Sequence, residues 1–235
     1  MTHKISEKKK YGVFYTPRHV ADILCNWAIG SAGVKVLEPS FGGCDFLEAS
    51  RERFMTLGAS QFQSESQIYG CDIDDFAFDV LKTSFLNPNG HFKKDDFLEL
   101  TLSSFPVDSA GFDVVIGNPP YVSHHNMAKD QKESAFKALQ LQNLAIGGRA
   151  SLWAYFVLHS VSFLKIGGKM AWILPSSFLY ADYAVKIQDV LKSKFQRCLF
   201  VNIHERLFLV DGTEEISIVV LCLSLIHISE PTRPY

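Results

Sequence analysis

The chain has 235 residues, 47% hydrophobic and 20% charged, which suits one large globular domain with a filled core and excludes a mostly disordered segment. Its 23 basic and 25 acidic side chains leave a formal net charge of −2, which excludes a domain that grips nucleic acid by bulk charge alone. Any such contact needs local basic surface or a part outside this stretch. Five scattered cysteines (Cys25, Cys44, Cys71, Cys198, Cys222) form no CxxC pair and sit in mostly apolar surroundings, so buried free thiols are expected. The polar N-terminus is no secretory signal, and no run reaches the roughly 18 apolar residues of a membrane helix, so the cytoplasm is the expected compartment.

Lys4–Lys10 is a short basic leader. Thr16-Pro17 opens a helical pattern, with Pro17 as its first helical residue and Val20, Ile23, Leu24 and Trp27 on its apolar face. A first strand is expected over Val34–Leu37, ending in Glu38-Pro39, then a turn Ser40–Asp45 and a helix from Phe46 to Leu57. Gln67–Ile73 reads as strand two, Phe76–Phe85 as a helix, His91–Asp96 as strand three and Phe112–Gly117 as strand four. The polar stretch Val122–Gly148 is expected to be a loop with one helix around Lys129–Gln142. Leu152–Leu164 is an apolar helix punctuated by Gly167-Gly168. Strand five (Lys169–Leu174), a helix (Tyr183–Phe195), strand six (Cys198–Ile203) and strand seven (Glu215–Leu221) complete the chain. Alternating strands and helices, with strands four and seven apolar throughout, predict an α/β fold with a doubly wound, mostly parallel seven-stranded sheet.

Ligands bind such sheets beyond the carboxyl ends of the strands. Strand one runs into Glu38 and the turn Ser40-Phe41-Gly42-Gly43, where glycines let backbone N–H groups approach a ligand, or serve only a tight turn. Strand two ends in Asp72, placed to accept from ribose hydroxyls, while Asp74 or Asp75 caps the next helix. Asp96 and Phe97 after strand three either meet an adenine amino group and ring or form a plain turn. Strand four ends in Asn118-Pro119-Pro120-Tyr121. The prolines stop the strand and fix its backbone. The Asn118 side-chain oxygen and the Pro119 carbonyl can then both accept from one NH2 group, and Tyr121 offers a face for stacking a planar substrate. His124-His125 reads as solvated rather than metal-binding, His159 as a satisfied core histidine, and Trp153, Tyr155 and Phe156 as core.

Asn118–Tyr121 resembles the [DNS]-P-P-[YFW] signature of amino-methyltransferases. Tyr11–Ala21 (YGVFYTPRHVA) resembles the opening motif of DNA adenine-N6 methyltransferases from restriction–modification systems, in the gamma arrangement. The resemblance covers roughly Lys10 to Leu221 and implies a Rossmann-like class I methyltransferase domain using S-adenosyl-L-methionine. Carried over by position, Tyr15, Thr16 and Pro17 touch the cofactor's methionine end. Glu38, Ser40 and Gly42 belong to the strand-one turn at its amino-acid end. Asp72 and Ile73 meet the ribose, and Asp96 and Phe97 the adenine. Asn118, Pro119 and Pro120 present the target N6, while Tyr121 and Phe208 sandwich an adenine flipped out of double-stranded DNA. The family's usual D-P-[AS]-C-G-x-G-x-F is here Glu38-Pro-Ser-Phe-Gly-Gly-Cys-Asp-Phe46, with Phe41 for the common Cys. No metal is implied. A glutamine or ribosomal-RNA adenine methyltransferase is a rival that the Tyr-Thr-Pro opening opposes; a cofactor-binding module, inactive by itself within a larger restriction assembly, is another.

Leu223–Arg233 reads LSLIHISEPTR and resembles translated sequencing-library adapter. The catalytic domain is therefore expected over residues 1–222, followed by a non-native tail over 223–235. A target-recognition domain, and any restriction subunit or fused nuclease, are expected outside this stretch.

Overall fold

Strand-forming runs and amphipathic helices alternate along the chain, and a sheet with both faces covered absorbs them. The computed structural model describes residues 16–86, 90–147, 149–203 and 217–226. Strands β1 (Val36–Glu38), β2 (Ile68–Asp72), β3 (Phe92–Lys94), β4 (Phe112–Gly117), β5 (Leu164–Pro175), β6 (Phe195–Ile203) and β7 (Ser217–Leu225) form one sheet in the order β3-β2-β1-β4-β5-β7-β6. Neighbours from β3 to β5 pair in parallel, and β7 runs antiparallel to both β5 and β6. The sheet is thus mixed, with β7 reversed where it inserts between β5 and β6.

The helices are α1 (Arg18–Ala28), α2 (Asp45–Thr56), α3 (Gln61–Glu65), α4 (Asp75–Ser84), α5 (Lys129–Gln140), α6 (Leu152–Ser160), α7 (Ser177–Tyr180) and α8 (Asp182–Lys194). Side chains alternate across the strands, so β5 sends Met170, Trp172 and Leu174 to one layer and Ala171 and Ile173 to the other. The first layer packs under α5, α6 and α8, the second under α1, α2 and α4.

Several elements depart from the sequence expectations. Pro17 is the N-cap of α1, not its first helical residue: its extended ψ of 131° leaves its carbonyl to accept from the amides of Val20 and Ala21. The buried stripe of α1 is Val20, Ala21, Leu24, Cys25 and Ala28, while Ile23 is 64% exposed. Small Ala and Cys side chains let α1 sit close to the sheet, which turns Ile23 outward. β1 starts at Val36 and includes Glu38, which carries that carboxylate into the buried strand. The apolar run after Leu152 divides into α6, a 3-10 turn at Val161–Phe163 and the start of β5. Gly167-Gly168 lies inside β5 as a bulge, where register jumps from Phe112↔Leu164 to Val114↔Lys169. Gly167 has φ +81°, and a Cβ on Gly168 would lie 2.8 Å from the Lys165 carbonyl oxygen. β7 runs three residues past Cys222, pairing Leu223 with Arg197 and Leu225 with Phe195. A ladder of backbone groups accepts any residue with an N–H, so the adapter-like residues continue the strand.

His159 is the expected satisfied core histidine. Gln142 Nε2 donates to its Nδ1 at 3.3 Å, which leaves Nε2–H to donate to the Leu100 carbonyl at 3.0 Å. Burial holds its pKa below the usual histidine value. Four of the five cysteines are buried; Cys198, on edge strand β6, is only half-buried. Among the described residues no helix is long and apolar enough to cross a membrane.

Candidate active site

The strand order reverses between β1 and β4, because β1 leads outward through β2 and β3 while β4 starts the other half of the sheet. A cavity of about 780 Å3 opens there, at the carboxyl ends of β1, β2 and β4. Of the predicted site residues, Thr16, Glu38, Ser40, Gly42, Asp72, Ile73, Asp96, Phe97, Asn118 and Pro120 line it. Pro17, Pro119 and Tyr121 do not line it. Tyr15 and Phe208 lie outside the described residues.

Seven carboxylates face this cavity: Glu38, Asp45, Asp72, Asp74, Asp95, Asp96 and Asp130. No basic side chain lies among the described lining residues. Glu38 is 2% exposed, and its Oε2 has no hydrogen-bond partner among the described residues. Burial, then the neighbouring charges of Asp45 and Asp72, push its pKa well above the usual glutamate value; the Leu47 N–H opposes this. Asp45, in the first turn of α2, is pushed up to about 6 by burial and by Glu48, against the pull of Arg18.

Asp72 holds the glycine turn as well as facing the cavity. Its Oδ2 accepts from the Gly42 amide at 2.8 Å and its Oδ1 from the Asp74 amide at 2.9 Å. Gly42 has φ +44°, and Cys44, the N-cap of α2, has φ 67°, so the turn uses two left-handed residues, and the Cys44 N–H donates to the Phe41 carbonyl at 2.7 Å. Asp74 caps α4 by accepting from the Phe76 amide. Asp96 caps the short 3-10 turn Phe97–Glu99 through the Leu98 amide, as the plain-turn alternative expects, and it also lines the cavity. Phe97 is 1% exposed, and its ring packs against Phe156, His159 and Phe163. Trp153 and Tyr155 are core, as expected; Phe156 is core and cavity wall at once.

At the end of β4 the Asn118 Nδ2 donates to Thr16 Oγ1 at 3.4 Å, and the Ser40 hydroxyl donates to the Asn118 carbonyl at 3.3 Å. Thr16 thus tethers the Asn118 amide at the cavity wall. Gly117 makes the strand end narrow: a Cβ there would lie 3.3 Å from Trp172 and 3.6 Å from the Glu38 side chain. Tyr121 donates its hydroxyl to the Ile173 carbonyl at 3.1 Å and packs against both core layers.

Phe41, which stands where the resembling motif has a small residue, is 2% exposed and packs edge-on against Phe78 and Phe92. Its ring covers Gly70 of β2, where a Cβ would lie 2.8 Å from Phe41 Cδ1. Sequence reasoning missed Asp45, Phe76 and Phe156 as cavity residues. Asp45 and Phe76 carry the only forewarning, since both stand in the first turn of a helix that follows a strand end.

The family model for the Eco57I restriction-modification methylase matches residues 66–208. Type II methyltransferase M.AccI of Acinetobacter calcoaceticus is 28% identical over 223 residues, covering 93% of this chain and 38% of that protein. Type II methyltransferase M.HincII of Haemophilus influenzae is 26% identical over 199 residues, covering 84% of this chain and 34% of that protein. This chain thus spans little more than a third of their length. A putative class I S-adenosylmethionine-dependent methyltransferase from Listeria monocytogenes superposes with a TM-score of 0.67 at 17% identity, over 97% of this chain and 68% of that one. A DrdV–DNA complex superposes with a TM-score of 0.71 at 14% identity, over 93% of this chain and 27% of that one. The match extends over more than half the sequence, and the chain belongs to the Eco57I restriction-modification methylase family.

Proposed function

We propose that this domain transfers a methyl group from S-adenosyl-L-methionine to the N6 of adenine in double-stranded DNA, within a restriction–modification system. The observation that carries the reading is the acidic cavity whose wall includes the buried Glu38 carboxyl together with Asn118 and Pro120 of the Asn-Pro-Pro-Tyr run. A dinucleotide would set its pyrophosphate against seven carboxylates with no basic lining residue among those described to neutralise it. A nucleoside carrying a sulfonium and an ammonium group matches the same lining. The family, the type II methyltransferase relatives and the DNA-bound structural neighbour support the DNA substrate.

Bound S-adenosylmethionine supplies an electrophilic methyl group on its sulfonium. The chain's own residues hold and orient. Glu38 Oε2 takes the ammonium group, Asp72 and Ile73 the ribose, and Asp96 with Phe97 the adenine. Asn118, held by Thr16, and the Pro119 carbonyl accept the two hydrogens of the target NH2, which directs the nitrogen lone pair at the methyl group. Catalysis is positioning and acceptor alignment, without a cysteine nucleophile. Tyr121, tethered through its hydroxyl, stacks on the flipped base, with Phe208 as the second aromatic. Sequence recognition and any restriction subunit or nuclease belong to parts of the protein beyond this stretch.

Calorimetry with S-adenosylmethionine and single-turnover methylation of mixed-sequence DNA, read as N6-methyladenine by mass spectrometry, test the reading. Asn118→Ala is expected to retain cofactor affinity and lose about 100-fold or more of the methylation rate, the scale of removing one transition-state hydrogen-bonding group. An unchanged rate refutes the mechanism. Methyl transfer to glutamine peptides or RNA in place of DNA refutes the substrate.

A further inference from the structure

The acidic interior raises the question of what holds a polyanion at the cavity's mouth. The Leu152 amide donates to the Val122 carbonyl at 2.8 Å, and both residues line the cavity. That bond pins the segment entering α6 against the segment leaving Asn118–Tyr121. Arg149, three residues before Leu152, and His124, two after Val122, therefore share one rim. Lys132 joins them from the first turn of α5, beside the cavity residues Asp130 and Gln131. The short 3-10 turn His124–Asn126 turns Asn126 to the cavity.

These groups sense one another: partial burial and then the charges of Lys132, His125 and Arg149 hold the His124 pKa below the usual histidine value. Among the described residues neither Lys132 nor Arg149 has an ion-pair partner, although nearby Lys129 reaches Glu133 at 3.8 Å. His124 Nδ1 has no hydrogen-bond partner among the described residues. Basic groups gathered without a direct ion pair favour an anion that settles there. In a chain of net charge −2, DNA contact within this domain needs local basic surface of this kind.

We propose that Lys132 and Arg149, flanked by His124 and His125, form a lip that takes the backbone phosphates of duplex DNA beside the flipped nucleotide. The proposal rests on the DNA methyltransferase reading. Contacts of this kind position the duplex without reading its sequence.

The test is fluorescence anisotropy of a labelled mixed-sequence duplex titrated with the 235-residue chain at several salt concentrations. Each lost phosphate contact lowers the slope of log K against log salt by about 0.9. Lys132→Glu/Arg149→Glu is expected to flatten the slope by about 2 and to weaken binding at low salt at least tenfold, with S-adenosylmethionine affinity unchanged. Lys132→Gln/Arg149→Gln, which removes charge without adding any, must reproduce the flattening. Lys82→Glu/Lys192→Glu, on α4 and α8, is the matched control and should keep the wild-type slope. An unchanged slope in the lip variants, the same loss in the control, or no binding of the duplex by the wild-type chain at low salt overturns the lip. With cofactor binding intact, those outcomes leave the methyltransferase reading standing. A folded wild-type chain that fails to bind S-adenosylmethionine overturns that reading, and the lip with it.

Discussion

Replacing Glu38 by glutamine separates cofactor binding from folding. The carboxyl is buried in the cavity wall, receives the Leu47 N–H, and leaves Oε2 without a hydrogen-bond partner among the described residues. Glutamine keeps the size and one carbonyl acceptor and removes the charge. A hydrogen bond to a charged group contributes about 1.5–3 kcal/mol, so affinity for S-adenosylmethionine should fall about 10- to 150-fold. Stability should move the other way. The folded carboxyl holds its proton more tightly than an unfolded glutamate, so its contribution is fully present below the ordinary glutamate pKa and is lost as pH rises through the raised one. Glutamine has no proton to lose. At pH 8 the unliganded variant should melt at or above the wild-type temperature, while calorimetry records the weakened binding. A variant that melts lower and binds the cofactor with wild-type affinity would make Glu38 a structural carboxyl only, and would refute the reasoning.

Asp45 carries a second, milder conflict. With its pKa raised from 3.8 to about 6, its contribution to stability is present below about pH 4 and lost as pH rises through 6. Asp45→Asn should therefore flatten the melting temperature between about pH 4 and 6 relative to wild type; identical pH profiles would discard the assignment. Gly70→Ala should destabilise the chain by about 1–3 kcal/mol through its collision with the Phe41 ring at 2.8 Å and the Phe92 ring at 3.0 Å, or roughly 2–12 °C in melting temperature. In a Phe41→Cys background the Phe41 part of that cost should disappear while the Phe92 contact at 3.0 Å remains, and chemical denaturation of the four proteins of this double-mutant cycle measures the coupling. Additive effects would mean that the ring does not press on Gly70.

The sequence by itself determined what depends on near neighbours. Phe112–Gly117 forms the strand it was expected to form, because a continuous apolar run stopped by Asn-Pro-Pro has little other choice. The Asp74 cap and the helix after it, and the polar stretch holding a helix from Lys129, were legible for the same local reason. The order of acids at successive strand ends placed Glu38, Asp72 and Asp96 on one cavity, because in a doubly wound sheet those ends share one edge. Other features needed the tertiary structure. Periodicity put Ile23 on the buried face of α1, yet a helix carrying Ala21, Cys25 and Ala28 can approach the sheet more closely with those residues inward. The reversal of β7 depends on its insertion between β5 and β6, which no alternation of side chains encodes. Thr16 and Asn118 meet across 102 residues, Phe41 lies over Gly70, and Arg149 reaches the lip because a backbone bond joins Leu152 to Val122. Burial of Glu38 and the raised pKa of Asp45 likewise appear only once the chain has closed around them. Local chemistry fixes which groups are presented and roughly where along the chain. Desolvation and contacts between distant segments decide what those groups do, because both depend on which surfaces the folded chain removes from water.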